Sequence, residues 1–254
     1  MPLGQNCNSY PITSSELVQN IKIKKIMIVN TEQKQLIKTA RITGVWYLMM
    51  AISGILGFMV FHSQIFVSGN PEQTLTNLIE LESTARIRLL LEFAIVISQA
   101  LTAVWFFKLF KGNYEWESWT LGIWGMVNAL AIMISAISIA SAIGVANSDI
   151  SAMEDKVVLI EVFQNIISNA WGIGGLFFGL WLFPMGYIVI KSKRLPVWLG
   201  RIIILGGIGY LISTVIHYAG IDFSFNGFLT LPATIGEFWM IGYLLIFGIR
   251  PNYK

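Results

Sequence analysis

The stretch RIRLLLEFAIVISQ, residues 86–99, is apolar enough to lie in lipid, yet it carries three strongly polar side chains. A helix places residues that are three or four apart on one face, so Arg88, Glu92 and Gln99 share a side. An ionised side chain that faces lipid costs several kcal/mol, so this face must turn into a protein interior. There Arg88 could bind an anion, and Glu92 could bind a cation or a proton.

The apolar stretches nearer the C-terminus also carry polar side chains. At a rise of about 1.5 Å per residue along each helix, these side chains fall at a depth in the membrane similar to that of Arg88 and Glu92, toward the side opposite the two termini. The sequence therefore predicts a polar pocket in the outer half of a helix bundle. Its candidate ligand-binding residues are Arg88, Glu92, Asn165, Asn169, His217 and Glu237. In the alternative interpretation the carboxylates and Arg88 only lock helix packing, and His217 is an interfacial side chain.

The sequence lacks the residues that several classes of site require. Cys7 is the single cysteine and His62 and His217 are the only histidines, so a zinc or haem site has almost no ligands. The sequence contains no glycine-rich nucleotide-binding loop. We therefore predict no metal, no cofactor and no nucleic-acid partner.

Long apolar stretches must position the polar residues. Only 12% of the 254 residues are charged, about half the share of a soluble domain. The apolar stretches have the length that crosses a bilayer core roughly 30 Å thick. The sequence predicts an all-α, polytopic bundle whose lipid-bilayer spans lie near residues 42–65, 86–107, 119–142, 166–190, 199–218 and 231–249. Trp and Tyr residues at many of the span ends indicate an interfacial aromatic belt: Trp46, Tyr47, Trp116, Trp119, Trp198, Tyr218 and Tyr253.

The charges predict the orientation of the bundle. All but Arg86, Arg88 and Lys156 of the 17 lysine and arginine residues fall on the side that holds both termini. Because cytoplasmic loops carry an excess of Lys and Arg, we expect both termini to be cytoplasmic. The two longest connections, 66–85 and 147–165, lie on the outer side and have apolar residues at the spacing of short amphipathic helices.

Two domain-level predictions follow. Residues 1–38 are expected to form a cytoplasmic tail, part of which would be an upstream extension if Met27 rather than Met1 is the start. Residues 39–250 are expected to form one six-helix membrane domain. Gly175 and Gly179 form a GxxxG pair, which lets helices approach closely and is a candidate face for a homo-oligomer.

Several quoted stretches resemble an uncharacterised bacterial multi-pass membrane family, domain of unknown function 4386. They are ARITGVWYL (40–48), ESTARIRLLLEF (82–93), NAWGIGGLFFGLWLFPMGYIVIKSKRLPVWLGRIIILGGIGYLI (169–212) and LPATIGEFWMIGYLL (231–245). The resemblance covers most of residues 38–249. It implies six spans and a bacterial plasma membrane, and it brings no established reaction.

The resemblance also bears on single residues. Arg88, Glu92 and Glu237 match positions of the family pattern, whereas Gln164 and Asn165 stand where the family often has a His-Asp pair. That departure argues against proton transfer at these two positions.

Three functions remain open at this point. The first is an outer pocket that binds or transports a small solute or a lipid headgroup. The alternatives are a structural or regulatory membrane protein and an intramembrane acid–base enzyme that uses Glu92, His217 and Glu237. The absence of a nucleophile–base motif favours a protein that is not an enzyme.

Overall fold

The computed structural model describes residues 14–149 and 152–251 of the chain. Over these residues the fold is all-helical, as predicted. A first helix, α1 (Ser14–Ile55), runs on through a π-helical stretch (Leu56–His62) and a last turn (Ser63–Ile65). The other helices are α2 (Pro71–Glu80), α3 (Glu82–Phe110), α4 (Glu115–Ala146), α5 (Met153–Ser192), α6 (Val197–Tyr218) and α7 (Leu231–Ile246). Cys7 and Tyr253 lie outside the described residues.

Six helical segments are long and apolar enough to cross a membrane, which confirms the predicted number of spans. They are Val29–Ile65, Glu82–Phe110, Glu115–Ala146, Met153–Ser192, Val197–Tyr218 and Asn226–Ile246. With six spans, the first begins and the last ends on the same side of the bundle, which we call the terminal side. The opposite side, which holds the connection 66–81 and the end of α4, we call the loop side.

Two boundaries differ from the predictions. The first span begins in the segment that was expected to form a tail, and Leu36 and Ile37 already pack against the core. The expected amphipathic helix in 147–165 is wrong, because its residues from Met153 onward form the first turns of α5. The other expected amphipathic helix is confirmed as α2, whose N-terminus is capped by the Asn70 side chain.

The spans form a closed ring in sequence order. Each spanning helix packs on the next one, and α7 packs back on α1. The short helix α2 lies across the loop-side ends of α4 and α5. The buried apolar residues form two clusters, one toward the terminal side around Tyr47, Phe106 and Trp181, and one at the loop side around Leu78 and Ile139.

The last span begins deep in the bundle. Gly206 in α6 lies directly against the backbone of Ala233, and Gly209 against the carbonyl oxygen of Leu229, so neither position has room for a side chain. Gly206 is twelve residues, about 18 Å, before the loop-side end of α6. The α7 helix therefore fills the gap between α1 and α6 only in the terminal-side half.

The glycine pair of α5 faces the same chain. A Cβ atom on Gly179 would lie 2.9 Å from Tyr210 Cβ, and one on Gly175 would lie 3.5 Å from the Thr214 hydroxyl, both on α6. This face is therefore used for packing between α5 and α6. The homo-oligomer stays a prediction, but the Gly175–Gly179 face is occupied within the bundle.

The segment that follows α7 is fastened to the terminal side by Arg194, which lies in the turn between α5 and α6 and is 6% exposed. Its Nε donates to the carbonyl oxygen of Arg250 at 2.7 Å, and its Nη2 donates to Oε1 of Gln33 at 2.9 Å. The Gln33 amide in turn donates to the carbonyl oxygen of Ile249 at 2.7 Å. One side chain thus joins α1, the α5–α6 turn and the C-terminal segment.

Candidate functional site

The polar face of α3 is buried, as its spacing predicts. Arg88, Glu92 and Gln99 are each 0% exposed. Arg88 and Glu92 form an ion pair in which Nη1 of Arg88 lies 2.5 Å from Oε2 of Glu92. The two residues are one helical turn apart on the same helix, so the pair itself joins no two helices.

Glu92 is fully engaged in this arrangement. Its second oxygen, Oε1, accepts a hydrogen bond of 2.9 Å from Nε1 of Trp171 on α5. The same indole N–H lies 3.1 Å from the hydroxyl oxygen of Ser135 on α4. Trp171 is thus the group that ties Glu92 to the neighbouring helices.

Arg88 is only partly satisfied. Its Nε and Nη2 atoms are buried and have no hydrogen-bond partner among the described residues. The guanidinium carbon lies 4.8 Å from the centre of the Phe58 ring, a cation–π contact. A Cβ atom on Gly57 would lie 3.4 Å from Nη1, so glycine at this position lets α1 approach the guanidinium closely.

The wall in front of Arg88 has an irregular backbone. Gly57, Phe58 and His62 all belong to the π-helical stretch Leu56–His62. Such stretches are rare and occur frequently at functional sites. His62 is stacked on Phe66, with ring centres 4.8 Å apart, and its buried Nδ1 has no partner among the described residues.

A cavity of about 500 Å³ opens in front of this wall on the loop side. The end of the first span, the start of α2 and the first turns of α5 line it. Its lining residues that matter for binding are His62, Ser63, Glu161, Asn165 and Ser168, with Phe58 and Trp171 at its base. Phe58 and Trp171 contact Arg88 and Glu92 respectively, so the ion pair lies directly behind the base of this loop-side cavity.

The structure brings together only part of the predicted site. Arg88 and Glu92 form the pair, and Asn165 lines the loop-side cavity. Asn169 lies on an exposed face, where it bonds to the carbonyl oxygen of Asn165 and accepts from the Tyr218 hydroxyl at 3.1 Å. His217 is exposed beside Tyr218 and does not line the cavity.

Glu237 lies far from the pair, and the prediction that it lies in the outer half is wrong. It accepts a 2.5 Å hydrogen bond from the hydroxyl of Tyr47. Tyr47 is eleven residues, about 16 Å, before Phe58 on the first span, toward the terminal side. The reason is the deep start of α7, which shifts every residue of the last span toward the terminal side. Tyr47 is consequently buried rather than interfacial.

Sequence reasoning missed three site residues: Phe58, His62 and Trp171. The two aromatic residues lie in apolar stretches, where nothing distinguishes them from packing side chains. The predicted span 166–190 puts Trp171 near its loop-side end, where tryptophan is expected at the interface, whereas α5 begins at Met153 and so places Trp171 in the interior of the span. Within residues 14–149 and 152–251, no group of three or more His, Cys, Asp or Glu side chains is placed to hold a metal ion.

Six spans, a buried ion pair and a loop-side cavity define a polytopic helical membrane protein with a polar interior. The chain belongs to the family described as Domain of unknown function (DUF4386), whose model matches residues 42–248. An uncharacterized protein of Archaeoglobus fulgidus is 30% identical over 86 residues, which is 34% of this chain and 51% of that protein. The chain thus spans about half the length of this curated relative. No solved structure matches the chain.

Proposed function

We propose that the loop-side cavity binds a small solute or a lipid headgroup that carries an acidic group, and that Arg88 recognises this group. The single observation that carries the proposal is the unequal state of the ion pair. Both oxygens of Glu92 are engaged, whereas two nitrogens of Arg88 are buried and have no hydrogen-bond partner in the part of the chain that the structure describes. The two nitrogens of Arg88 are hydrogen-bond donors on a cation. A carboxylate or phosphate group has the negative charge and the acceptor oxygens that match them.

The location of the pair on one helix supports binding over scaffolding. A buried ion pair costs desolvation free energy that its Coulomb attraction often does not recover. A pair that locks helix packing would have to join two helices, but Arg88 and Glu92 both belong to α3. The Trp171 hydrogen bond and the cation–π contact of Arg88 with Phe58 reach other helices, and a neutral acceptor at position 92 would still serve the Trp171 bond.

The shape of the interior favours binding over transport. Below the site, toward the terminal side, Tyr47, Phe106 and Trp181 fill the centre of the bundle, with ring centres 5.5 to 6.1 Å apart. A solute bound at the loop side would have to displace this aromatic cluster to cross the bundle.

An acid–base enzyme is less well supported, because Glu92, His217 and Glu237 lie in separate places.

We infer that the protein lies in the plasma membrane of a bacterium with both termini cytoplasmic, so that the cavity faces outward. The distribution of Lys and Arg supports this orientation, since only Arg86, Arg88 and Lys156 lie toward the loop side. The resemblance to the bacterial family supports the location.

The test is the thermal stability of detergent-purified protein with three probes: inorganic phosphate, acetate and short-chain phosphatidylglycerol. A ligand that binds only the folded state stabilises it by mass action, by about 2.7 kcal/mol at a hundred times Kd. We expect at least one probe to raise the Tm of the wild type above that in sodium chloride of equal ionic strength. A soluble anion and a lipid headgroup are distinguished by which probe acts.

The control is the double variant Arg88→Gln/Glu92→Gln, which removes both charges and keeps an acceptor for Trp171. The Arg86→Gln variant removes an exposed arginine two residues away. We expect the response to vanish in the double variant and to persist in Arg86→Gln. An equal response in the double variant, or no response of the wild type to any probe, contradicts the proposal.

A further inference from the structure

A second cavity, of about 180 Å³, lies deeper in the bundle, on the other side of Trp171. Trp171 lines both cavities and separates them. This inner cavity is lined mainly by apolar side chains, among them Met50, Ile95, Ile132 and Phe178. Its volume corresponds to roughly six water molecules at their share of liquid volume, or to one ring-sized organic group.

Three uncharged polar side chains from three helices line the inner cavity: Gln99 on α3, Asn128 on α4 and Tyr210 on α6. Gln99 is 0% exposed, and its Oε1 has no hydrogen-bond partner among the described residues. Its amide nitrogen makes only a long contact of 3.4 Å with the carbonyl oxygen of Gly125. A buried amide without a partner is costly, so a polar group in the cavity would lower the free energy of this site.

The lining determines the charge of the occupant. No Lys, Arg, Asp or Glu side chain is among the residues that the structure places around the inner cavity. An ionised molecule would have no counter-charge there and would pay the full cost of leaving water. A neutral molecule with one or two hydrogen-bonding groups matches both the polar side chains and the apolar walls.

The packing of the helices determines how such a molecule reaches the cavity. Met50 and Gly54 on α1 and Tyr210 on α6 all line the inner cavity. The main helix contacts of α1 are with α3 and α7, and α7 begins only at the depth of Gly206. Tyr210 lies one turn closer to the loop side than Gly206, where the last span is only the 3₁₀ turn Asn226–Thr230, and this turn packs mainly on α6 and α7 rather than on α1. A Cβ atom on Gly54 would meet nothing within 4 Å, which marks open space at this edge.

We propose that the inner cavity is a binding site for a neutral, lipid-soluble molecule with a hydrogen-bonding group, which enters from the bilayer between α1 and α6. Gln99 and Asn128 bind its polar group, and the apolar walls bind the rest. This site is separate from the proposed anion site, and its occupant reaches it without passing Trp171.

The experiment uses single-cysteine variants in liposomes. Cys7→Ser removes the native thiol, and Asn128→Cys places a thiol on the inner cavity, with Ile132→Cys as a second position should the first variant not fold. The probes are N-ethylmaleimide, which is small, neutral and lipid-soluble, and a trimethylammonium methanethiosulfonate, which is charged. We expect N-ethylmaleimide to label both cavity positions faster than Ala136→Cys, a buried α4 position outside the cavity, and the charged reagent to label neither. Excess 1-octanol, a neutral lipid-soluble alcohol, is expected to slow this labelling.

Two blocking variants identify the route. Gly54→Leu fills the open edge between α1 and α6. We expect it to slow labelling by roughly tenfold, because a small increase in the activation barrier for entry changes the rate by that factor. Gly242→Leu adds the same side chain where a Cβ atom also meets nothing within 4 Å, on α7 away from the cavity, and should have no effect. If Gly54→Leu left the labelling rate unchanged and Trp171→Ala raised it, the reagent would enter from the loop side, which would overturn the proposal. Equal labelling of Asn128→Cys, Ile132→Cys and Ala136→Cys, or no protection by 1-octanol, would overturn it as well.

Discussion

Two buried arginines at opposite ends of the bundle are used in opposite ways. Arg194 on the terminal side is 6% exposed and bonds to neutral groups, the carbonyl oxygen of Arg250 and the amide oxygen of Gln33, which belong to two other parts of the chain. Arg88 on the loop side is 0% exposed and bonds to a carboxylate on its own helix, and two of its nitrogens have no hydrogen-bond partner within residues 14–149 and 152–251.

The difference separates structural from functional use of a buried charge. Arg194 connects elements that are distant in sequence, and its bonds hold the backbone at Arg250 beside α1 and the α5–α6 turn. Burial lowers the pKa of the Arg194 guanidinium. Its two acceptors, a carbonyl oxygen and an amide oxygen, are neutral but still accept hydrogen bonds from the charged group. The hydrogen bond of Arg88 stays within its own helix and its contact with the first span is a cation–π contact with Phe58, so its burial has a weaker structural reason than that of Arg194. We therefore expect Arg88 and Arg194 to respond differently when their partners are removed.

The largest effect is expected when Glu92 alone is removed. Glu92→Leu leaves the Arg88 guanidinium buried without a counter-charge, which costs about 3 to 5 kcal/mol of stability. The double variant Arg88→Met/Glu92→Leu removes both charges, and we expect it to lie within about 1 kcal/mol of the wild type or above it. Thermal unfolding of the three proteins in detergent measures this. A double variant as unstable as Glu92→Leu would show that the pair is scaffolding after all.

The second effect concerns Arg194. Arg194→Met removes two hydrogen bonds and leaves their acceptors without a donor, at a cost of about 2 kcal/mol. Unlike the loss of Glu92, this loss should not be compensated by a second change, since the partners of Arg194 are neutral. Adding Gln33→Leu is expected to lower the Tm further. The readouts are thermal unfolding and the rate at which a carboxypeptidase trims the C-terminus. The matched control is Lys193→Met, at the exposed neighbouring residue. Recovery of stability in the double variant would remove the distinction between the two arginines.

These two regions also show what sequence can and cannot predict. The inward face of α3 was predictable because helical spacing is a local property, and Arg88, Glu92 and Gln99 are buried as their spacing requires. The number of spans follows equally from local hydropathy. The partners of Arg194 were not predictable, because a backbone carbonyl carries no residue-type signal and Gln33 is 161 residues away.

The depth of the last span shows the same limit. Its residues are apolar on either side of Leu231, so hydropathy does not show where α7 begins relative to its neighbours. The close contact of Gly206 with Ala233 sets that depth, and it depends on how two helices pack. The Tyr47–Glu237 hydrogen bond follows from the same packing. The π-helical stretch that carries Phe58 has no sequence signature by which it could have been recognised.

A smaller effect is expected at the tryptophan that connects Glu92 to the rest of the bundle. Trp171→Phe keeps an aromatic ring and removes the donor to Glu92 and Ser135, which costs about 1 kcal/mol beyond the change in volume. The chain offers a matched control in Trp181→Phe. Trp181 is 0% exposed, and its Nε1 has no partner among the described residues, so the same substitution there removes no hydrogen bond. Thermal unfolding of both variants isolates the contribution of the indole N–H. Equal losses would mean that the Trp171 bonds contribute nothing measurable, and that Glu92 is held by Arg88 alone.

The smallest effect is expected at Arg86, two residues before Arg88 on the same helix. Arg86 pairs with Glu82 at 2.5 Å and at the same one-turn spacing as Arg88 with Glu92, but the two side chains are 61% and 39% exposed. An exposed pair is screened by water and salt and contributes little, so the Tm of Arg86→Gln should stay within about 1 °C of the wild type. Because the residue types, the distance and the helical spacing are shared, although the order of acid and base along the helix is reversed, burial is the main difference between the two pairs. If Arg86→Gln lost as much stability as Glu92→Leu, burial would not be what distinguishes Arg88, and the reason for assigning Arg88 to a binding site would disappear.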